Sequence, residues 1–213
     1  MGIIKKGANG AFRGKAGSVI GSGWKKIDYI KGRPKPYKNK GNPSETQMKQ
    51  QEKFALLNNF LAPLSSVLQI GFASFLTRST ARNAAFRYNY DHAFLSSDDN
   101  KLTLNYAALQ FSRGSLFSAG GEKATLTTDG IQVTWNTKTY GLSGSMDDEV
   151  HVFAYYEHQD YLKSDESTPL RYQGETFIEN KALPGEPVHI WMFLADSQHK
   201  RISPTTYLFI QND

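Results

Sequence analysis

The chain of 213 residues contains no cysteine. This absence excludes disulfide bonds, thiolate metal sites and cysteine nucleophiles. No apolar run reaches the ~18 residues that a membrane-spanning helix needs. No apolar stretch of about 7–15 residues follows the first lysines, so we expect no Sec signal. We therefore expect cytoplasmic synthesis and no membrane span; export by a dedicated route, or release to the extracellular space by lysis, is the alternative.

Patterns that would indicate catalysis are also missing. The five histidines form no His-x-His, His-x-x-x-His or His-Glu-x-x-His unit. The sequence contains no Gly-x-Ser-x-Gly motif and no phosphate-binding loop. His151 and His189 fall in predicted strands, where we interpret them as structural residues, since metal ligands would need partners at ligand spacing. The sequence thus predicts a protein that is not an enzyme, with no cofactor and no metal site.

Acidic residues are scarce in the first fifth of the chain. Residues 1–42 hold eleven Lys or Arg residues but a single acid, Asp28, and they hold nine of the eighteen glycines. The other 171 residues carry fourteen basic and nineteen acidic side chains. A basic arm on an acidic body can bind a polyanion, or the body of another copy of the same chain.

The basic arm is also rich in apolar side chains. Trp24, Ile27 and Ile30 stand among its lysines, and a segment that stays solvated has little use for them. Residues 17–31 predict a β-hairpin with its turn at Gly-Ser-Gly, residues 21–23, and residues 32–43 predict an extended, partly polyproline II segment. A lone hairpin is marginal in water. We therefore expect the arm to pack on its own body or on a neighbour.

The rest of the chain predicts helices followed by strands. A capping-box pattern begins at Ser44, and Pro63 predicts a break before a second short helix. A third helix is predicted over residues 79–91. The strand candidates are 102–106, 124–127, 131–135, 150–156, 176–179, 188–194 and 207–210. We divide the chain into an arm (1–42), a helical section (43–95) and a β-sandwich (96–213). The predicted fold is mainly β: an immunoglobulin- or fibronectin-like sandwich, central short helices and an extended N-terminal hairpin.

Three stretches together resemble a known family. They are residues 14–24 (Gly-Lys-Ala-Gly-Ser-Val-Ile-Gly-Ser-Gly-Trp), residues 44–54 (Ser-Glu-Thr-Gln, then Gln-Glu-Lys-Phe) and residues 83–89 (Asn-Ala-Ala-Phe-Arg-Tyr-Asn). They resemble an uncharacterised domain-of-unknown-function family of Bacteroidota that opens with a Gly-rich basic arm. The resemblance runs along nearly the whole chain. It implies a bacterial source, and it supplies no activity, ligand or residue role.

The leading hypothesis is a self-assembling structural subunit of a filament, or of a virion-like tube or shell. In this hypothesis the arm adds strands to, or wraps around, the adjacent subunit of a homo-oligomer or polymer. The predicted interface comprises Val19, Ile20, Trp24, Lys25, Lys26, Ile27, Tyr29, Ile30, Lys31, Arg33 and Lys35 of the arm, with Asp147, Asp148 and Glu149 of the body. One alternative is nucleic-acid binding through the basic arm. Another is a surface- or carbohydrate-binding sandwich with a platform of Tyr155, Tyr156, Tyr161 and Trp191.

Overall fold

The structure is a computed structural model of the chain. It describes residues 2–3, 12–24, 27–35, 42–77, 79–96, 102–127, 129–139, 141, 143–179, 182, 185–208 and 210–211. The described chain is mainly β with a helical section, which confirms the predicted fold class. It divides into two compact units, Met1–Glu45 and Thr46–Asp213.

The first unit contains one four-stranded antiparallel sheet, which we call the arm sheet. Its strands are β1 (Gly2–Ile3), β2 (Gly14–Ala16), β3 (Val19–Trp24) and β4 (Ile27–Gly32), in the order β1-β4-β3-β2. The predicted hairpin is present as β3 and β4. Its turn was predicted at the wrong place, because residues 21–23 lie inside β3 and Trp24 pairs with Ile27.

The helices of the second unit are α1 (Glu45–Leu61), α2 (Ser65–Gly71) and α3 (Ala81–Asn89). Helix α1 begins directly after Ser44 and ends ahead of Pro63, as the capping pattern and the proline predict. The side chain of Thr80 caps α3 by accepting a hydrogen bond from the Asn83 N–H at 3.2 Å. Within the described ranges, no single helix is long and apolar enough to cross a membrane. The α1–α2 pair, bent by 89°, passes the same test by length and composition alone.

The strands of the second unit form three sheets. They are β5 (Phe94–Ser96), β6 (Leu102–Leu104), β7 (Lys123–Leu126), β8 (Gly130–Thr134), β9 (Glu149–Tyr156), β10 (Tyr161–Ser164), β11 (Glu175–Glu179), β12 (Val188–Ala195), β13 (Thr206–Leu208) and β14 (Ile210–Gln211). One sheet has the order β10-β9-β12-β13 and a second has the order β11-β8-β7-β14; β5 and β6 pair separately. All pairs are antiparallel except β14 with β7. The sequence predicted neither β5 nor β10.

The β10-β9-β12-β13 sheet is buried on both faces, and we call it the central sheet. Alternate side chains of β9 and β12, among them Val152 and Met192, face the β11-β8-β7-β14 sheet and form one core with Ile131. The intervening side chains, among them Phe153 and Trp191, face the helices and join a second core. The second unit is therefore a β-sandwich whose central sheet carries a further layer of helices.

Candidate functional site

The pairing of the arm sheet gathers apolar side chains on one side, which we call the apolar face. Trp24 pairs with Ile27 and Tyr29 pairs with Ile3, and side chains directly opposite each other point to the same side. Ile20 lies four residues before Trp24 on β3 and shares its side, because side chains alternate along a strand. The apolar face consists of Ile3, Ile20, Trp24, Ile27 and Tyr29.

The apolar face combines exposed apolar surface with positive charge. The exposed fraction is 72% for Ile3 and 45% for both Trp24 and Ile27. At one end of the same face, Lys15 and Lys31 lie on either side of Ile20 in the strand register. This surface therefore has the two features expected of a contact with an acidic, partly apolar partner.

The opposite face of the arm sheet is approached closely by the arm's own chain. A Cβ atom at Gly21 would lie 2.2 Å from the carbonyl oxygen of Phe12. One at Gly23 would lie 2.7 Å from Asp28 Oδ1 and 3.0 Å from Arg13 Nη2. At Gly21 only glycine leaves room for the Phe12 backbone, whereas at Gly23 the ends of the Asp28 and Arg13 side chains would have to move. The glycines interpreted as a turn thus serve close packing.

The other predicted arm residues have several locations. Val19 and Ile30 are half-buried on the opposite face, because they alternate with the residues of the apolar face. Of the predicted basic residues, Lys31, Arg33 and Lys35 are exposed, whereas Lys25 and Lys26 lie outside the described residues.

Asp148 does not belong to an acidic docking surface, contrary to the prediction. Its side chain is 1% exposed, and its Oδ2 atom lies 3.2 Å from Nε of Arg171, which is 2% exposed. The same oxygen accepts a hydrogen bond from the Ser145 N–H at 2.8 Å. The neighbouring Glu149 is half-buried beside two histidines, and Asp147 is exposed. A docking surface for the arm therefore needs acids from elsewhere.

A groove in the second unit is lined by one such acid, Asp160, and we call it the acidic groove. It encloses about 610 Å³ between α1 and the β9–β10 end of the central sheet. Phe60, Tyr106, Tyr155 and Tyr161 line it together with Asp160, whose Oδ1 accepts a hydrogen bond from the Tyr155 hydroxyl at 2.9 Å. The groove thus places a carboxylate beside aromatic surface.

Three aromatic groups beside the groove are held in their neutral forms. Burial raises the pKa of both Tyr155 and Tyr106, so these phenols stay protonated. Burial also lowers the pKa of His189, whose ring stacks on Tyr106 with centroids 4.1 Å apart. His189 Nε2 lies 3.4 Å from Glu157 Oε2. At neutral pH, Tyr106, Tyr155 and His189 therefore add no positive charge next to the side chains of Glu157 and Asp160.

The predicted carbohydrate platform is mostly core. Trp191 and Tyr156 have no exposed surface, and Tyr155 is buried as well. The Trp191 Nε1–H donates a hydrogen bond to the carbonyl oxygen of Tyr106 at 3.1 Å. Of the four predicted platform residues, Tyr161 alone is exposed. These residues therefore stabilise the two cores instead of forming a sugar-stacking surface.

Glu149, His151 and His199 meet at the other end of β9, and no sequence motif predicted that they would. Glu149 Oε2 lies 2.8 Å from His199 Nε2 and 3.4 Å from His151 Nε2. The ligand atoms of all three residues lie within 4.8 Å of one another. Burial lowers the pKa of His151, although Glu149 opposes the shift. We call these residues the Glu149–His151–His199 cluster.

Sequence spacing could reveal only half of this cluster. Glu149 and His151 are two residues apart, which places them on one face of a strand. His199 comes from the loop after β12, the neighbour of β9 in the sheet. A sequence search could have found the Glu-x-His pair on a predicted strand. It could not have paired that strand with β12, whose following loop carries His199.

Comparison with known proteins places the chain in a family. Residues 11–208 match the model described as Family of unknown function (DUF6266). The chain belongs to DUF6266. The resemblance to a domain-of-unknown-function family is thereby confirmed. No curated protein and no solved structure matches this DUF6266 chain.

The DUF6266 chain thus presents three chemically distinct features. The apolar face offers contact area with lysines at one end, the acidic groove offers aromatic surface with a carboxylate, and the Glu149–His151–His199 cluster offers nitrogen and oxygen ligands. The first two are complementary in charge and in polarity.

Proposed function

We propose that this DUF6266 chain is a non-enzymatic structural subunit that assembles with copies of itself through its arm. The apolar face is the observation that carries the proposal. Complete burial of a fully exposed side chain contributes about 1.5–3 kcal/mol, and Trp24 and Ile27, each 45% exposed, would contribute roughly half of that to a neighbour that covers this face. In a filament, tube or shell the repeating contact would join the arm of one copy to the body of the next.

The acidic groove is the proposed receptor for the arm on the neighbouring copy. Its aromatic walls match the apolar face. Asp160, which lines the groove, and Glu157, which lies 3.4 Å from His189 beside the Tyr106 wall, match the lysines of that face in charge. The outer strands β1 and β2 also leave the arm sheet open to strand addition. An arm-to-groove contact is head-to-tail, so it builds a ring if the rotation between copies closes and an open polymer if it does not.

A double substitution on the apolar face tests this function. Light scattering coupled to size exclusion would compare the intact chain with Trp24→Ser/Ile27→Ser at several micromolar concentrations. We expect assemblies from the intact chain and monomers from the variant, because loss of two anchors that are each 45% exposed in the single chain weakens the contact by roughly 1–3 kcal/mol. Glu157→Gln/Asp160→Asn should weaken assembly from the groove side while the groove keeps its shape.

Phe117→Ser is the matched control for this experiment. Phe117 is 53% exposed, close to the exposure of Trp24, and it lies in the second unit away from the acidic groove. Its substitution should leave assembly unchanged. A monomeric intact chain at every concentration, or equal loss of assembly in the control, contradicts the proposal.

Nucleic-acid binding is the second candidate function. It is supported by the arrangement of Trp24, Tyr29, Lys15 and Lys31 on one face, since exposed aromatic rings next to cations can stack bases and bind phosphates. Six to ten phosphate contacts would weaken binding by roughly 10³–10⁵-fold between about 50 and 200 mM salt. A gel-shift titration with single-stranded DNA across that range distinguishes this candidate from assembly through apolar contacts.

A further inference from the structure

The Glu149–His151–His199 cluster leaves one buried nitrogen without a hydrogen bond. Glu149 Oε2 and His199 Nε2 satisfy each other at 2.8 Å. His151 Nε2 is buried and has no hydrogen-bond partner, although it lies 3.4 Å from the same carboxylate oxygen. A buried polar atom without a hydrogen-bond partner destabilises the folded state. A hydrogen-bonded pair therefore accounts for two members of the cluster but not for the third.

A metal ion would use all three ligand atoms at once. In tetrahedral zinc sites the metal lies about 2.0–2.1 Å from histidine nitrogen and about 2.0–2.2 Å from carboxylate oxygen, so ligand atoms stand about 3.3–3.5 Å apart. The Glu149–His151 separation of 3.4 Å already has this value. The Glu149–His199 separation of 2.8 Å would open by a few tenths of an ångström, and the remaining pair lies within 4.8 Å.

The fold holds two of the three ligands on a rigid strand. Glu149 and His151 belong to β9 and pair with Ala195 and Phe193 of β12. The His151 ring also stacks on the Phe193 ring, with centroids 4.9 Å apart and an interplanar angle of 23°. These contacts fix the direction of the imidazole before any ion arrives, which lowers the entropic cost of binding.

A tight loop holds the third ligand. The His199 N–H donates to the Asp196 carbonyl oxygen at 2.7 Å, and Asp196 Oδ1 accepts hydrogen bonds from the backbone N–H groups of Lys200 and Arg201. His199 itself adopts a left-handed backbone conformation with φ of +52°. Non-glycine residues rarely adopt this conformation, and it is maintained where surrounding contacts require it.

We propose that Glu149, His151 and His199 form a binding site for Zn²⁺. Two imidazole nitrogens and one carboxylate oxygen are ligands that zinc prefers. Calcium and magnesium sites are built from oxygen ligands alone, so this set favours zinc over them. Three protein ligands leave a fourth position for water or another ligand. That position faces solvent, because His199 and Glu149 are only partly buried.

Isothermal titration of the tag-free, full-length protein with zinc chloride tests the site. We expect one ion per chain, and at least about a hundredfold weaker binding for His151→Phe, Glu149→Gln and His199→Gln. His151→Phe keeps an aromatic ring against Phe193, and His199→Gln changes a loop side chain, so both variants should fold. His158→Gln, which removes an exposed histidine outside the cluster, should bind zinc as tightly as the unchanged protein.

Thermal unfolding provides an independent measurement. A ligand that binds only the folded state raises the Tm, so zinc should raise the Tm of the unchanged protein and of His158→Gln but not that of His199→Gln. Binding of zinc with equal affinity by all the variants would indicate adventitious surface histidines and overturn the proposal. Absence of stoichiometric binding at micromolar zinc would overturn it as well. Neither outcome bears on assembly through the arm.

Discussion

At the scale of single residues, the second unit contains a charged pair that is almost fully removed from water. Arg171 Nε lies 3.2 Å from Asp148 Oδ2, and its Nη2 atom donates to the carbonyl oxygen of Phe117 at 3.1 Å. The Trp135 Nε1–H donates to the carbonyl oxygen of Arg171 at 2.8 Å. These hydrogen bonds connect the loop before β9 to the segment before β11, so the pair fixes how two distant parts of the chain meet.

Arg171→Met should destabilise the protein strongly. Removal of the guanidinium leaves the Asp148 carboxylate buried without a counter-charge, which costs about 3–5 kcal/mol in comparable buried pairs. Urea denaturation followed by circular dichroism measures the loss. Arg201→Met is the control, because Arg201 is half-exposed in its pair with Asp196 and its removal should cost less than about 1 kcal/mol. Equal losses for the two variants would contradict the assigned role of the buried pair.

His189 should make the stability of the protein depend on pH. Nδ1 of His189 lies 2.8 Å from the Tyr207 hydroxyl, Nε2 lies 3.4 Å from Glu157 Oε2, and the ring stacks on Tyr106. Burial lowers its pKa in the folded state, although Glu157 opposes the shift. Below the ordinary pKa of about 6.5, the unfolded chain therefore binds a proton that the folded chain does not, and the free energy of unfolding decreases.

Comparison with His189→Gln isolates this contribution from those of the other histidines. The difference in free energy of unfolding between the unchanged protein and the variant should be constant above about pH 7.5 and should decrease toward about pH 5. A flat difference for His189→Gln would contradict the lowered pKa.

The sequence could not assign roles to the three consecutive acids before β9. Asp147 is exposed, Asp148 lies in a buried ion pair, and Glu149 lies beside two histidines. Composition and spacing treat them alike, and we predicted one docking surface from all three. Their partners Arg171 and His199 come from distant segments, so the roles of these acids depend on tertiary structure.

At the scale of elements, the central sheet shows what apolar patterns can predict. Strands β9 and β12 were predicted close to their observed bounds, Glu149–Tyr156 and Val188–Ala195, because long runs of β-branched and aromatic residues indicate strands. The helices were predicted as a separate section, residues 43–95, and not as a layer that covers one face of this sheet. Strands that are apolar on both sides indicate burial of both faces, but they do not say which element covers each face.

Strands β3 and β10 show where local patterns were insufficient. Three residues of β3 were read as a turn because Gly-Ser-Gly is common in turns, but the close approach of the Phe12 backbone requires glycine at position 21. Strand β10 is only four residues long, Tyr161–Ser164, and carries little alternation of its own. It forms because it pairs with β9 through Tyr161–Tyr156 and Leu162–Tyr155. Both outcomes depend on non-local contacts.

At the scale of the whole molecule, the charge of the chain is unevenly distributed. The formal total of +5 hides a strongly basic arm and an acidic remainder. The two compact units coincide closely with this change of sign, since the first unit ends at Glu45. The proposed assembly uses the difference twice: opposite charges guide the arm to the groove of a neighbour, and like charges keep arms apart.

Deletion of residues 1–42 should abolish assembly without unfolding the rest of the chain. Among the residues that the structure describes, the two cores of the second unit include none of the arm, so the shortened chain should keep its far-ultraviolet circular dichroism per residue and unfold cooperatively. Light scattering should give the mass of a monomer for the shortened chain and a larger mass for the intact chain.

Assembly of the intact chain should weaken only modestly between about 50 and 200 mM salt, because exposed charge pairs are screened while apolar burial is retained. An intact chain whose assembly constant falls by several orders of magnitude over this range would contradict apolar docking, because charge pairs would then carry most of the contact. A shortened chain that still assembles would assign the contact to the body instead of the arm.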